Sequence, residues 1–278
     1  MSKVLVTGGC GFIGGHLVDR LVSDGHDVNV LDIEIRNEVL NPKAKYFKGN
    51  VEKSFDLGRA MHGREYVFHT AAVARTQETI DHPLQTHATN ATGTLKALMS
   101  ASAHGVKKFI HSSSTILYAP HTPYYVQKAC AENYVSIFPS LYKLSTISLR
   151  YANVYGPRQR EDGAYPNVIA SMAKSKKENG YVTIYGDGEQ TRSFIHVKDV
   201  VEANILAMKS EVEGVFDIGT DTYTSIGEIA RYFDCTEVLE NERQGDVKHI
   251  PIATIPAKER LGFQATIQLS RESLSPYL

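Results

Sequence analysis

Three side chains within one stretch could together carry a proton to or from an alcohol: the Ser114 hydroxyl, the Tyr124 phenol and the Lys128 ammonium. They stand in the run His111 to Lys128, H-S-S-S-T-I-L-Y-A-P-H-T-P-Y-Y-V-Q-K. Tyr124 and Lys128 are four positions apart, which places them on one helix face, one turn from each other. A phenol titrates near pH 10, about 3 pH units too high for a base at neutrality. Bringing it down takes about 4 kcal/mol, roughly what one cation at about 4 Å supplies at an effective dielectric near 20. Lys128 is placed to be one such cation, before any penalty for burial. Tyr125, three positions before Lys128, is the alternative phenol. Such a base does redox chemistry only beside a hydride acceptor.

The start of the chain offers the acceptor's site. The β-branched run Lys3 to Thr7 is followed by G-G-C-G-F-I-G, and Ile13, Leu17, Leu21 and Val22 then recur at helical spacing up to Gly25. A second strand, H-D-V-N-V-L-D, closes on Asp32. Gly8, Gly9, Gly11 and Gly14 let the backbone turn tightly and approach a pyrophosphate. The helix N-terminus then offers it free N–H groups and a positive dipole. Asp32 follows Gly14 at the distance where an acid meets the adenosine ribose hydroxyls of a dinucleotide. An acid there disfavours a 2′-phosphate, so NAD is expected over NADP. Cys10 reads as a small residue of the turn.

The elements between and beyond these sites alternate. Tyr46 to Val51 and the run from Tyr66 read as strands, with a short helix over Phe55 to Met61 between them. The Tyr66 strand runs into Ala71 and Ala72, whose size leaves space for a bulky group above the strand end. His69 within it reads as a core histidine, with a catalytic base as the alternative. Leu84 to His104 reads as one long helix carrying Asn90, with Gly105 as its stop signal. V-K-K-F-I-H-S-S-S delivers Ser112 to Ser114 at the C-terminal end of a strand, where open parallel sheets bind ligands. Pro123 starts the helix that carries Tyr124 and Lys128. Leu144 to Arg150, Val182 to Tyr185 and Val215 to Ile218 read as strands. Asn167 to Lys177, Val200 to Met208 and Ala257 to Leu261 read as helices.

The pattern is α/β: a doubly wound parallel-sheet Rossmann domain with a smaller C-terminal α/β substrate-binding portion. Residues 1–155 are expected to form the NAD-binding domain, completed by 194–220, and 156–278 the substrate side. A formal net charge of −1 gives no general attraction to nucleic acid. Three scattered cysteines imply neither a disulfide framework nor a metal site. The absence of a long apolar run argues against a membrane span. The first strand begins at Lys3, leaving no room for a signal peptide, so a cytoplasmic protein is expected.

Together these segments resemble the extended short-chain dehydrogenase/reductases, specifically the NAD-dependent epimerase/dehydratase family. T-G-G-C-G-F-I-G, H-T-A-A at His69 to Ala72, S-S-S-T-I-L-Y and Tyr124-x-x-x-Lys128 match its signatures in order. L-R-Y-A-N-V-Y-G-P-R, G-D-G-E-Q-T-R-S-F-I-H-V-K-D-V and R-Q-G-D at Arg243 to Asp246 match the later ones. The resemblance implies that Tyr124 is the acid/base, Lys128 its activator and ribose anchor, and Ser114 a hydrogen-bond partner of the reacting sugar hydroxyl. It implies NAD contacts from Gly8, Gly11, Phe12, Ile13, Gly14, Asp32, Asn50, Val51, Ala71, Ala72 and Asn90. It implies that Asn153 contacts a sugar nucleotide, that Tyr185 lies beside its base, that Arg192 and Arg243 hold its diphosphate and that Asp246 meets its ribose. A nucleotide-diphosphate sugar substrate and a homodimer follow from the same resemblance.

Four departures stand out. Only A-P-H-T-P separates Tyr118 from Tyr124, so the sugar pocket is expected to be open. Asn50 replaces an aspartate at the adenine, with a carbonyl still able to accept a hydrogen bond, and Ser193 replaces an acid after Arg192. Thr115 and Ile116 stand where dehydratases and decarboxylases of the family place carboxylates. Epimerisation of a UDP-hexose at C4 is therefore the expected reaction. The alternatives are a nucleotide-sugar reductase, an epimerase of a dTDP- or GDP-sugar, and a catalytically silent NAD-binding protein.

Overall fold

The computed structural model describes residues 1–37, 40–119, 121–159, 167–242 and 247–278. Seven strands form one parallel sheet. They are β1 (Lys3–Thr7), β2 (Asp27–Asp32), β3 (Lys45–Lys48), β4 (Tyr66–His69), β5 (Lys108–Ser114), β6 (Ser145–Tyr151) and β10 (Gly214–Ile218), in the order β10-β6-β5-β4-β1-β2-β3. The strand order reverses between β1 and β4, and in such sheets the crevice above that switch point receives the ligand.

Alternation along the strands explains why both faces are covered. Val4 and Val6 of β1 and Val28 and Val30 of β2 point to one side, into a core shared with α1 (Phe12–Ser23), α8 (Val197–Lys209) and α10 (Ile255–Leu261). Leu5, Leu31, Val67 and Phe109 point to the other, against α2 (Ser54–Met61), α5 (Thr94–Ala103) and α6 (Pro123–Tyr142). Strands buried on both faces in this way read as continuous apolar runs.

A third core lies on the C-terminal side. It packs α7 (Val168–Asn179) and α9 (Ile226–Tyr232) against β8 (Tyr181–Tyr185) and β9 (Thr191–His196). β9 pairs with β7 (Asn153–Tyr155) and β11 (Tyr223–Ser225), while β8 pairs with β12 (Thr236–Glu240). Here β7, β11 and β12 are strands where the sequence suggested none. The polar run A-N-V-Y around Asn153 lacks a strand's alternation and gains its pairing only from β9.

The expected long helix over Leu84 to His104 is instead composite. After α3 (Thr76–Asp81), α4 (Pro83–His87) passes into a π-helical segment, Ala88–Gly93, and then into α5. Two contacts account for the wide turn. Asn90 is held by Val73 and Gln127, and a Cβ at Gly93 would sit 2.9 Å from the Val51 side chain.

Candidate active site

A cavity of about 1140 Å³ lies at the C-terminal ends of β1, β4, β5 and β6, bounded on its far side by β7, β8 and β9. Its first half is built by neighbours in sequence. The chain leaves β1 through Gly8 at φ +71°, where a Cβ would lie 2.7 Å from the Ala71 nitrogen. A Cβ at Gly14 would lie 2.2 Å from the Gly8 carbonyl oxygen, so only glycine lets α1 come this close to the turn. No side chain caps the N-terminus of α1, which leaves its first N–H groups for an anion.

Asp32 closes the same half. Its Oδ2 accepts the Cys10 N–H at 2.9 Å and its Oδ1 the Glu34 N–H at 3.2 Å, so the acid also holds the glycine turn in place. Burial raises the Asp32 pKa, and the N–H bonds and the Arg36 cation oppose that rise. Phe12, Ile13, Asn50, Val51, Ala71 and Ala72 line this half as well. A cradle that a Cβ would fill, an open helix N-terminus and a carboxylate at the end of β2 fit a dinucleotide. Arg36, which nothing in the sequence singled out, lines the wall and donates to the Cys10 carbonyl.

Two side chains expected to meet the cofactor are engaged within the protein. The Asn50 Oδ1, expected to face the adenine, already accepts the Glu52 N–H at 2.9 Å within its own turn. Asn90 does not line the cavity. It lies behind the wall, accepting from the Val73 N–H at 2.7 Å and donating to the Val73 carbonyl at 2.9 Å and to Gln127 at 2.7 Å. A buried amide must satisfy both of its ends, and these partners do so without a ligand. His69 is a core residue as expected. Thr94 donates to the Asn90 carbonyl, so the His69 Nε2–H must donate to Thr94, and Nδ1 then accepts from Thr7. Burial lowers the His69 pKa to about 3, which keeps the ring neutral.

At the centre, β5 carries Ser114 to the cavity wall and α6 carries Tyr124 beside it. Thr122 caps α6 by accepting the Tyr125 N–H, and Pro123 fills its first turn. This start turns Tyr124 inward to 6% exposure and leaves Tyr125 half-buried. Tyr124 and not Tyr125 lines the cavity, and its phenol faces the Ser114 hydroxyl, which lowers its pKa. Lys128 sits just behind, donating to the Ser112 carbonyl at 2.8 Å.

The electrostatics add the burial penalty that the expected pull of Lys128 and a positive nicotinamide ring on the phenol did not include. Burial pushes the Tyr124 phenol well above its ordinary value, and the Ser114 hydroxyl only partly opposes it. The same burial lowers the Lys128 pKa to about 8, against the attraction of Glu132. A site that excludes water penalises phenolate and ammonium alike. Further positive charge is therefore needed before Tyr124 ionises near neutrality.

The far half draws on distant segments. Asn153, Tyr185 and Arg192 line it. The Arg192 guanidinium is nearly buried and donates to the carbonyls of Thr191 at 2.8 Å and Lys248 at 3.3 Å. Ser193, in the place of an acid, donates to the Thr220 carbonyl at 3.0 Å. Arg243 and Asp246 lie outside the described residues; Val247 and Ile250, close after them, line the cavity. Gln159 and Asn167 also line it and carried no motif, and Gln190, within the G-D-G-E-Q-T-R signature, lines it without an expected role. Thr115 and Ile116 line the wall beside Ser114, so the segment after Ser114 brings no carboxylate to it.

The family model described as the NAD dependent epimerase/dehydratase family matches residues 4–219. A UDP-glucose 4-epimerase of Mycolicibacterium smegmatis is 30% identical over 96% of this chain and 95% of its own length. A UDP-N-acetyl-alpha-D-glucosaminuronate decarboxylase of Bacillus cytotoxicus is 32% identical over 91% of this chain and 85% of its own. Among solved structures, the UDP-glucose 4-epimerase of Thermotoga maritima with UDP-glucose superposes with a TM-score of 0.93. It is 35% identical and covers 99% of this chain and 97% of its own.

Proposed function

The chain belongs to the NAD-dependent epimerase/dehydratase family, and on that premise we propose that it epimerises a UDP-hexose at C4. The observation that carries this reading is the triplet Ser114, Tyr124 and Lys128 at the meeting point of the two halves of the cavity. Residues 1–155 with 194–220 hold NAD, through the glycine cradle and Asp32. Residues 156–278 hold the sugar nucleotide, with Tyr185 at the base and Arg192, Arg243 and Asp246 on the diphosphate and ribose. Arg192 suits a diphosphate because a guanidinium donates in pairs.

NAD, when bound, supplies a hydride acceptor and a positive ring. The chain's own groups manage the proton. Tyr124 takes it from the C4 hydroxyl and returns it after the sugar has turned over, Ser114 orients that hydroxyl, and the Lys128 ammonium favours the phenolate. The diphosphate stays clamped while the sugar rotates. Neither Thr115 nor Ile116 can act as the acid or base of a water elimination, which separates this site from dehydratase chemistry. A homodimer is supported by apolar side chains left exposed on adjoining helices: Leu84 on α4, Met99 on α5, and Val126, Ile137 and Leu141 on α6. We place the protein in the cytoplasm, with its three cysteines as free thiols.

Incubation with NAD and UDP-glucose, followed by proton NMR, tests the reading. UDP-galactose is expected from the native chain and not from Tyr124→Phe. Equal conversion by both, or conversion by neither, overturns it.

A further inference from the structure

Behind the catalytic triplet runs a partly buried chain of alternating charge that the proposed mechanism does not use. Glu132 lies one helical turn beyond Lys128 on α6 and is 7% exposed. Its Oε2 accepts from the Ser113 hydroxyl at 2.6 Å. Both of its oxygens accept from Arg150 of β6: Nε lies 3.0 and 3.2 Å away, and Nη2 donates to Oε1 at 2.5 Å. Arg150 continues outward, donating to the Tyr118 hydroxyl at 3.1 Å, with its guanidinium 5.3 Å from the centre of the Tyr118 ring. Tyr118 in turn donates to Asp217 of β10 at 2.9 Å, and Asp217 lies 4.0 Å from Arg150 and accepts the Ala253 N–H at 2.7 Å. From Lys128 outward the charges read plus, minus, plus, minus, and they sum to zero.

This arrangement bears on a specific weakness of the site. Lys128 must keep its proton to favour the Tyr124 phenolate, yet it sits in a pocket that expels charge. The groups facing it leave one source of support. His69 and His111 face it from β4 and β5, and burial keeps both rings neutral. The Ser112 carbonyl accepts one of its protons. Tyr124 on its own helix is a neutral phenol before reaction. Glu132 is the anion that acts on it. Arg150 holds that anion bidentately, a geometry with little rotational freedom, and so fixes the carboxylate of a residue that stands one helical turn from Lys128. The Ser113 hydrogen bond ties the same carboxylate to the strand end that presents Ser114.

We propose that Glu132, held by Arg150, is a positioning residue for the reaction, keeping Lys128 protonated and the serine strand in place. The inference rests on the reading of Lys128 as the cation beside Tyr124. Asp217 and Tyr118 close the far end of the chain, so that the Arg150 charge is balanced on both sides.

The test titrates Lys128 directly in the full chain with ¹³C-labelled lysine by NMR, in the native protein and in Glu132→Gln, with equal excess NAD. The Lys128 signal is identified by its loss in Lys128→Met. The native ammonium is expected to titrate near pH 8 and the Glu132→Gln ammonium at least one pH unit lower, a tenfold change in its equilibrium. Glu132→Asp, which keeps the charge, is expected to recover most of that shift. The double variant Glu132→Gln/Arg150→Met removes both members of the Glu132–Arg150 ion pair together and serves where the single variant does not fold. It is expected to shift Lys128 in the same direction. Epimerase assays across pH form the second arm, in which the alkaline limb of kcat moves down with the Lys128 titration. An unchanged Lys128 titration in Glu132→Gln, or in the double variant, overturns the assignment of Glu132. Absence of epimerisation in the native chain would instead remove the reading of the reaction, while the titration still decides what Glu132 does.

Discussion

The two halves of the cleft are made in different ways. The cofactor half is nearly a local object: Gly8 to Gly14 and Asp32 lie within one βαβ unit, and the acid itself hydrogen-bonds the turn through Cys10. The substrate half collects Asn153, Tyr185, Gln190, Arg192 and Ile250 from separate strands and loops across about a hundred residues. The first is set by backbone geometry, where a single Cβ does damage. The second is set by side chains, where one contact can be removed and the rest kept. Ser114 and Tyr124 stand where the halves meet and belong to neither.

Variants should separate the three parts, and the junction should show the largest effect. Tyr124→Phe removes the proton acceptor alone, so kcat is expected to fall about 1000-fold. NAD and UDP affinities, measured by calorimetry, stay as they were. Gly14→Ala acts on the cofactor half. Its methyl group meets the Gly8 carbonyl at 2.2 Å, and relief of that clash costs about 1–3 kcal/mol. NAD binding is expected to weaken about 10- to 100-fold, with a lower melting temperature. UDP binding should change little; if it falls in parallel, the halves are not independent.

Arg192→Met acts on the other half. Loss of a charged hydrogen-bonding partner costs about 1.5–3 kcal/mol, so the KM for UDP-glucose is expected to rise about 10- to 100-fold at constant NAD affinity. The mildest effect comes from pH. The Lys128 ammonium, lowered by burial to about 8, is the form that favours phenolate. The rate is therefore expected to fall as pH rises through about 8, halving there, and a rate still climbing at pH 9 would contradict that role.

The same contrast explains what could be read from the sequence. The turn at Gly8 and Gly14 and the placing of Asp32 beside it were legible because each position depends on spacing within one unit. Tyr124 and Lys128 were legible because helical periodicity pairs them. Asn90 was misplaced because a side chain's partners, here Val73 and Gln127, come from a loop and a helix that spacing does not relate. Arg36 gave no warning either, since its target, the Cys10 carbonyl, is brought near by the pairing of β1 with β2. Glu132 stood four residues after Lys128 in plain view. Its partner Arg150 lies a strand away, and the buried pair is recognised only once β5 and β6 are in register. The pKa of Tyr124 is raised by burial, which composition cannot localise and which the expectation from charge alone left out.

The central claim is that the junction removes hydrogen from C4 and returns it without net redox change. UDP-glucose carrying deuterium at C4 tests it most directly. The account predicts UDP-galactose that keeps the deuterium at C4, with no accumulation of NADH. Loss of the label to solvent, or stoichiometric NADH, would contradict it.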